Sequence, residues 1–295
     1  MPSFLQWIPH IPVSTEAALI ISILVISLAS ALIAMIRNRR TLSAPVDEDS
    51  DLGALFENPS SIMPHIAELR TRLIFSLIAI LVATAVAALL TPQVMTVLAA
   101  PIGGINELIA IGVTEPFAVT FRVALVLGVI LASPYVLAQL WIFVAAGLKP
   151  VERRIFYFLF PFGLVLFLSG VVFAYFVMLP VAVPFLIGFL GFKATPTIEN
   201  YIKFVTNVLL WVGISFEMPL VAFVLARLGV VNARLLAQNW RIAIIVIALL
   251  AAVVTPTPDP VNMGIVAAPL ILLYGVSIVL AVVAQRSRQR AAASK

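Results

Sequence analysis

One stretch limits this chain more than any other. Phe204–Ala226 reads FVTNVLLWVGISFEMPLVAFVLA. Its 23 residues would measure about 34 Å as a helix, enough to cross the hydrocarbon core of a bilayer. Glu217 is the one ionisable residue inside it. An ionised carboxylate at that depth costs at least about 2.5 kcal/mol, so it calls for a partner, water or a proton. Pro219 follows two residues later, and a proline disturbs the hydrogen bonds one turn before it. A polar group and a helix irregularity therefore coincide, which predicts a cavity or protein contact within the membrane. A protonated Glu217 packed against another helix of the same chain is the plainer alternative.

Composition generalises the point. The 295 residues are 63% hydrophobic and 11% charged, with mean hydropathy +1.17. A soluble domain is closer to 45–50% apolar and 25% charged. The fold class is all-α, a polytopic transmembrane helical protein. Cysteine is absent, which excludes disulfides, thiolate metal sites and cysteine nucleophiles. The net charge of +5 is no sign of nucleic-acid binding; its placement along the chain carries the information.

Taken in order, Ala17–Ile36 is an apolar run followed by Arg37, Arg39 and Arg40. It lacks a basic region before the run and a cleavage segment after it, so it is no ordinary signal peptide. We expect a spanning helix within an extra N-terminal segment, 1–40. Residues 41–62, with Asp47, Glu48, Asp49, Asp51 and Glu57, read as an acidic cytoplasmic linker. A core of six spans follows over 63–284, and 285–295 is a basic cytoplasmic tail. Within the core, Leu73–Leu90 is the first span, and Thr91–Pro116 is expected to be a long outer connection broken by Pro92, Pro101 and several glycines. Phe117–Ala146 crosses next, with Pro134 as a candidate kink. A basic turn, GLKPVERR at Gly147–Arg154, leads to Ile155–Leu179, whose clear run is expected to end at Pro180. Ile242–Val254 has 13 apolar residues, about 20 Å as a helix, short for a 30 Å core. Its short length predicts a locally thin membrane and an edge open to a single-span partner, with Ile242, Val246, Leu250 and Thr255 as contact residues. Met263–Ala284 crosses last. On this seven-crossing plan, 15 of the 18 Lys and Arg residues fall on one side. The asymmetry places the N-terminus outside and the C-terminus in the cytoplasm.

Enzymatic motifs are missing: there is no HExxH, no GxSxG and no glycine-rich phosphate loop. Neither enzyme activity nor a cofactor is expected. Glu68 and Glu152 stand out because they lie among basic residues at the inner face. A carboxylate pair could receive peptide guanidinium groups through charge-assisted bonds. Local pairing, Glu68 with Arg72 and Glu152 with Arg153 or Lys149, explains the same residues more simply.

Several stretches together resemble TatC, the multispanning receptor component of the twin-arginine protein translocase. They are PHIAELRTRL at Pro64–Leu73, API at Ala100–Ile102, TEPF at Thr114–Phe117 and SPYVLAQLWIFVAAGLKPVERR at Ser133–Arg154. FAYFVMLP at Phe173–Pro180, Tyr201, GISFEMPL at Gly213–Leu220, TPTPDP at Thr255–Pro260 and APLILLY at Ala268–Tyr274 continue the likeness in order. The resemblance covers about Pro64 to Ala284. It implies six crossings in an open, glove-like arrangement in a bacterial cytoplasmic membrane. It also implies binding of twin-arginine signal peptides of folded cargo through Glu68 and Glu152, with Arg70 beside them. Glu217 corresponds to the family's intramembrane glutamate. TatA- and TatB-type single-span proteins and self-association are the implied partners, and the proton-motive force the implied drive. Two features depart from the family pattern: the extra N-terminal helix, and Gly275 where relatives carry an acidic residue. A small-solute transporter or channel using Glu217 is the competing reading; it requires solute flux by this chain alone.

Overall fold

The computed structural model describes residues 25, 28–36, 59–146, 150–188, 195–255 and 260–293. Side chains are described at 25, 28–36, 66–144, 159–188, 195–255, 260 and 263–286. Among the described residues, ten α-helices follow in order: α1 (28–36), α2 (Pro59–Ala99), α3 (Glu115–Ala146), α4 (Pro150–Phe173), α5 (Leu179–Gly188), α6 (Ile198–Ser215), α7 (Met218–Leu228), α8 (Ala233–Gln238), α9 (Trp240–Val254) and α10 (Pro260–Ala293). Among the described residues, five helical stretches are long and apolar enough to cross a membrane. They are Ile66–Ile102, Glu115–Val144, Leu159–Gly188, Ile198–Leu228 and Met263–Arg286. The chain is thus an all-α polytopic membrane protein. The shorter α9, at 15 residues, reaches about 22 Å. Of the expected 17–36 span only Val25 and 28–36 are described, and residues 41–58 of the expected linker lie outside the described residues.

Two compact units divide the chain. The first holds 1–94 and 120–164, the second 95–119 and 165–295. In the first, α2 and α3 meet backbone to backbone. A Cβ built on Gly128 of α3 would lie 2.7 Å from the Thr84 backbone of α2, so only glycine permits this approach. Pro134 sits inside α3 and has no N–H to offer the Ile130 carbonyl one turn back. The Ser133 hydroxyl donates to that same oxygen at 2.7 Å. A side chain thus replaces the missing backbone donor, the usual way a proline is accommodated within a bilayer.

The second unit corrects two expected boundaries. α2 does not stop at Leu90 but continues through Pro92 to Ala99, because Met95, Leu98 and Ala99 find buried positions. Its last carbonyls, which no helical N–H can reach, are satisfied from elsewhere. Tyr175 Oη donates to Val97 O and Tyr201 Oη to Leu98 O, both at 2.8 Å. Gly104 N donates to Ala99 O and Gly103 N to Ala100 O, both at 3.0 Å. These two glycines have φ of 120° and 102°, values that a side chain would strain. The remaining connection is short. It carries an isolated parallel bridge between Ile109 and Thr197, and the Glu115 carboxylate accepts from Ile111 N and Gly112 N at the start of α3.

The second correction concerns Pro180, which does not end its helix. A π-helical turn, Ala174–Met178, joins α4 to α5, and Leu179 N donates to Ala174 O. The wider turn lets the chain continue through Pro180 to Gly188 with Leu179, Ala182 and Val183 buried. α4 and α6 touch through a pair of glycines. A Cβ on Gly170 would meet Phe216 Cγ at 2.8 Å, and one on Gly213 would meet Val171 Cγ2 at 2.9 Å. α10 packs chiefly on α7, and also on α8 and α9, and runs on to Ala293, so residues 285–293 extend the last helix.

The tyrosine bonds generate a prediction. Tyr175→Phe and Tyr201→Phe keep both rings but strip the donors from Val97 and Leu98. Each should lower stability by about 0.5–2 kcal/mol, read as a lower unfolding midpoint in detergent, with a larger loss in the double variant. An unchanged midpoint in the double variant would show that these carbonyls need no hydroxyl.

Candidate functional site

The expected site residues fall in both units. In the first, one helical turn of α2 presents Glu68 and Arg72 on the same face, the i,i+4 arrangement of a helical ion pair. Arg72 Nε and Nη2 both donate to Glu68 Oε1, at 3.2 and 2.7 Å. Arg72 Nη1 donates to Gln139 Oε1 on α3 at 3.0 Å. The local pairing of Glu68 with Arg72 is therefore present. It has a third member that sequence reasoning passed over.

Gln139 is only 4% exposed. Its neighbours in VLAQLWIF are apolar, and a lone amide in such a run was the available signal. A buried amide needs its hydrogen bonds, and Arg72 supplies one. Among the described residues, Glu68 uses Oε1 alone in these bonds. Its side chain is partly exposed, and Oε2 takes no part in these bonds. Arg70, two residues from Glu68, is exposed. Glu152 lies in the first turn of α4, but its side chain is outside those described, so its distance from Glu68 is not part of this geometry.

Glu217 belongs to the second unit. It occupies the two-residue break between α6 and α7, with Phe216 before it and Met218 after it. The break follows from Pro219, which has no N–H for the Ser215 carbonyl and is well suited to the first turn of the next helix. The Phe173 and Phe216 rings meet at a 41° tilt with centroids 5.6 Å apart, which restrains the residue before the glutamate. Glu217 Oε1 is buried and makes no hydrogen bond among the described residues. Buried side-chain oxygens are rarely left so. A sequence-predicted irregularity and an unpaired polar atom thus occur at the same residue.

The expected partner-contact residues divide between two faces of α9. Ile242 and Val246 are exposed, Leu250 is half-buried, and Thr255 is buried with Oγ1 donating to Ala251 O at 2.9 Å. Ile245, Leu249 and Val253 join Ile242 and Val246 on the exposed face, while Ile247, Ala251 and Val254 face inward. Near Gly275 a side chain would meet open space, so packing does not require glycine there. Its neighbour Tyr274 donates to Leu236 O at 2.6 Å. Among the described residues, no three His, Cys, Asp or Glu side chains come together in a metal-binding group.

Comparison with known proteins gives this geometry a family. The model described as TatC, Sec-independent protein translocase protein, matches residues 64–269. The Sec-independent protein translocase protein TatC of Carboxydothermus hydrogenoformans is 39% identical over 228 residues, covering 76% of this chain and 94% of the relative. That of Aquifex aeolicus is 38% identical over 233 residues, covering 76% and 96%. The crystal structure of a twin arginine translocase receptor, TatC, superimposes with a TM-score of 0.69 at 38% identity. It covers 75% of this chain and 99% of that one. The match begins downstream of α1 and runs through the helices that carry Glu68, Gln139 and Glu217. The chain belongs to the TatC family of Sec-independent protein translocase proteins and is a translocase component rather than an enzyme.

Proposed function

We propose that this chain is the receptor and core subunit of a twin-arginine translocase in a bacterial cytoplasmic membrane, with its N-terminus outside and its C-terminus in the cytoplasm. It binds the twin-arginine signal peptides of folded cargo at the cytoplasmic face. Glu68 and Glu152 receive the two guanidinium groups, and Arg70 lies beside them. The observation that carries this reading is the state of Glu68. One carboxylate oxygen is held by Arg72, which Gln139 restrains from α3, while among the described residues the other takes no part in these bonds. Arg72 thus models a guanidinium on this carboxylate, and a second one can add or exchange. Arginine is preferred over lysine because a planar fork matches a carboxylate, whereas an ammonium is a point charge.

Gln139, holding Nη1 from α3, orients the Arg72 guanidinium with Nε and Nη2 toward Glu68. Glu217 serves a later step, receiving a polar group of a partner helix or peptide in the membrane. The exposed face of the short α9 receives a TatA- or TatB-type single-span helix, where a hydrophobic length of about 22 Å thins the bilayer locally. The chain associates with further copies of itself in the receptor complex, and the proton-motive force drives transport.

Charge-assisted bonds are worth roughly 1.5–3 kcal/mol. Glu68→Gln and Glu152→Gln should therefore each weaken binding of a twin-arginine peptide about ten- to a hundredfold while membrane insertion is preserved. Gln139→Leu removes a single hydrogen bond of about 0.5–1.5 kcal/mol and should weaken binding about two- to tenfold. A twin-lysine peptide should bind wild type far more weakly. Equilibrium binding to the purified, folded variants checks all three. Equal affinity of wild type for the two peptides, or wild-type affinity in both glutamate variants, would sink the assignment.

A second measurement addresses α9. A photoreactive residue at Ile245 or Leu249 should capture a single-span partner helix in isolated membranes, and one at Ile247 should not. Capture from Ile247 alone, or links confined to this chain from all three positions, would remove the partner face.

A further inference from the structure

α1 lies outside the residues matched by the family model, which begins at 64, so nothing known of the family says what it does. Its burial is one-sided. Ala31 is 0% and Met35 6% exposed, whereas Ile33 and Ile36 are 64% and 62% exposed. Positions 31 and 35 are four apart and share one helical face, and Ile33 projects from the other side. A lone span surrounded by lipid would show no such difference. A cavity of about 380 Å³ gives the direction of that face. It is lined by Ser30 of α1, by Phe75, Ala79 and Ala83 of α2, and by Ala132 and Tyr135 of α3, all within the first unit. Three helices thus enclose one apolar space. Between apolar helices in a bilayer, association depends on close packing rather than on hydrophobic burial. The small residues here, Ser30 and Ala31 on one side and Ala79, Ala83 and Ala132 on the other, permit that approach. The α2–α3 platform is itself rigid, since Gly128 and Thr84 fix its crossing.

We propose that the α2–α3 face is an intramembrane helix-docking surface and that α1 fills it in cis, as a built-in additional helix seated through its Ala31–Met35 face. The receptor core would then carry its own helical neighbour on the α2–α3 face. The adjoining cavity is lined mostly by apolar side chains.

The test uses the full chain, which contains no native cysteine. Ser30→Cys with Ala83→Cys should be joined by a short bismaleimide in isolated membranes. A protease site engineered into 41–58 should then yield two fragments that stay covalently linked. Ala83→Cys with Ala132→Cys, joining α2 to α3, reports that the core is folded. Adding Ala31→Trp, which enlarges the docked face, should cut the 30–83 link several-fold and leave the 83–132 link unchanged. Adding Ile33→Trp, on the outward face, should leave both unchanged. A 30–83 link that forms between two copies instead of within one overturns the proposal. So does its absence while the 83–132 link forms, or its indifference to Ala31→Trp.

Discussion

A backbone carbonyl in hydrocarbon has no water to turn to, and this constraint organises the molecule. Each unpaired group costs several kcal/mol there, so a helix can end or break in the membrane only where another donor waits. The chain meets that demand with few parts. Tyr175 and Tyr201 cap the end of α2 from α6 and from the turn between α4 and α5, and so tie three segments of the second unit at one point. Ser133 answers the carbonyl that Pro134 leaves bare. Tyr274 reaches Leu236 at the end of α8. Pro134 and Pro180 are therefore not helix terminators here. They mark places where a neighbouring hydroxyl or a wider turn has taken over.

The same economy governs charge. Arg72 and Glu68 sit in the N-terminal part of α2, where an isolated, partly buried ion would lose some of its hydration. Pairing them removes most of that cost, and Gln139 satisfies a donor that Glu68 does not. A pair of this kind contributes little net stability. It does hold the Glu68 carboxylate in one orientation.

Much of this was legible in the sequence, for identifiable reasons. Apolar runs report spans directly because the bilayer fixes their length. The break at Glu217 was legible because a proline and a carboxylate share one turn. The ends of α2 and α5 were not legible. Pro92 and Pro180 looked like stops because local rules for soluble helices ignore donors supplied from distant residues. Tyr201 lies 103 positions from the carbonyl it caps. Gln139 was missed for a similar reason: its partner is 67 positions away, and nothing in its neighbourhood but its polarity marks it. Leu250 and Thr255 joined the expected contact set on length alone, whereas helical phase decides which residues of α9 face outward.

Glu217 shows how the two constraints meet. The helix break at Phe216–Glu217 exists because Pro219 cannot donate, and the break places a carboxylate where the wall of α6 and α7 is interrupted. Gly170 and Gly213 bring α4 against this point so closely that Phe216 is held in place by its ring contacts. A purely structural glutamate would have been given a partner, as Glu68 was given Arg72 and Glu115 two backbone amides. Glu217 Oε1 has none among the described residues. An apolar residue would fill the same space without leaving a buried acceptor unmet, so the carboxylate calls for a proton, water or a polar partner to offset its cost.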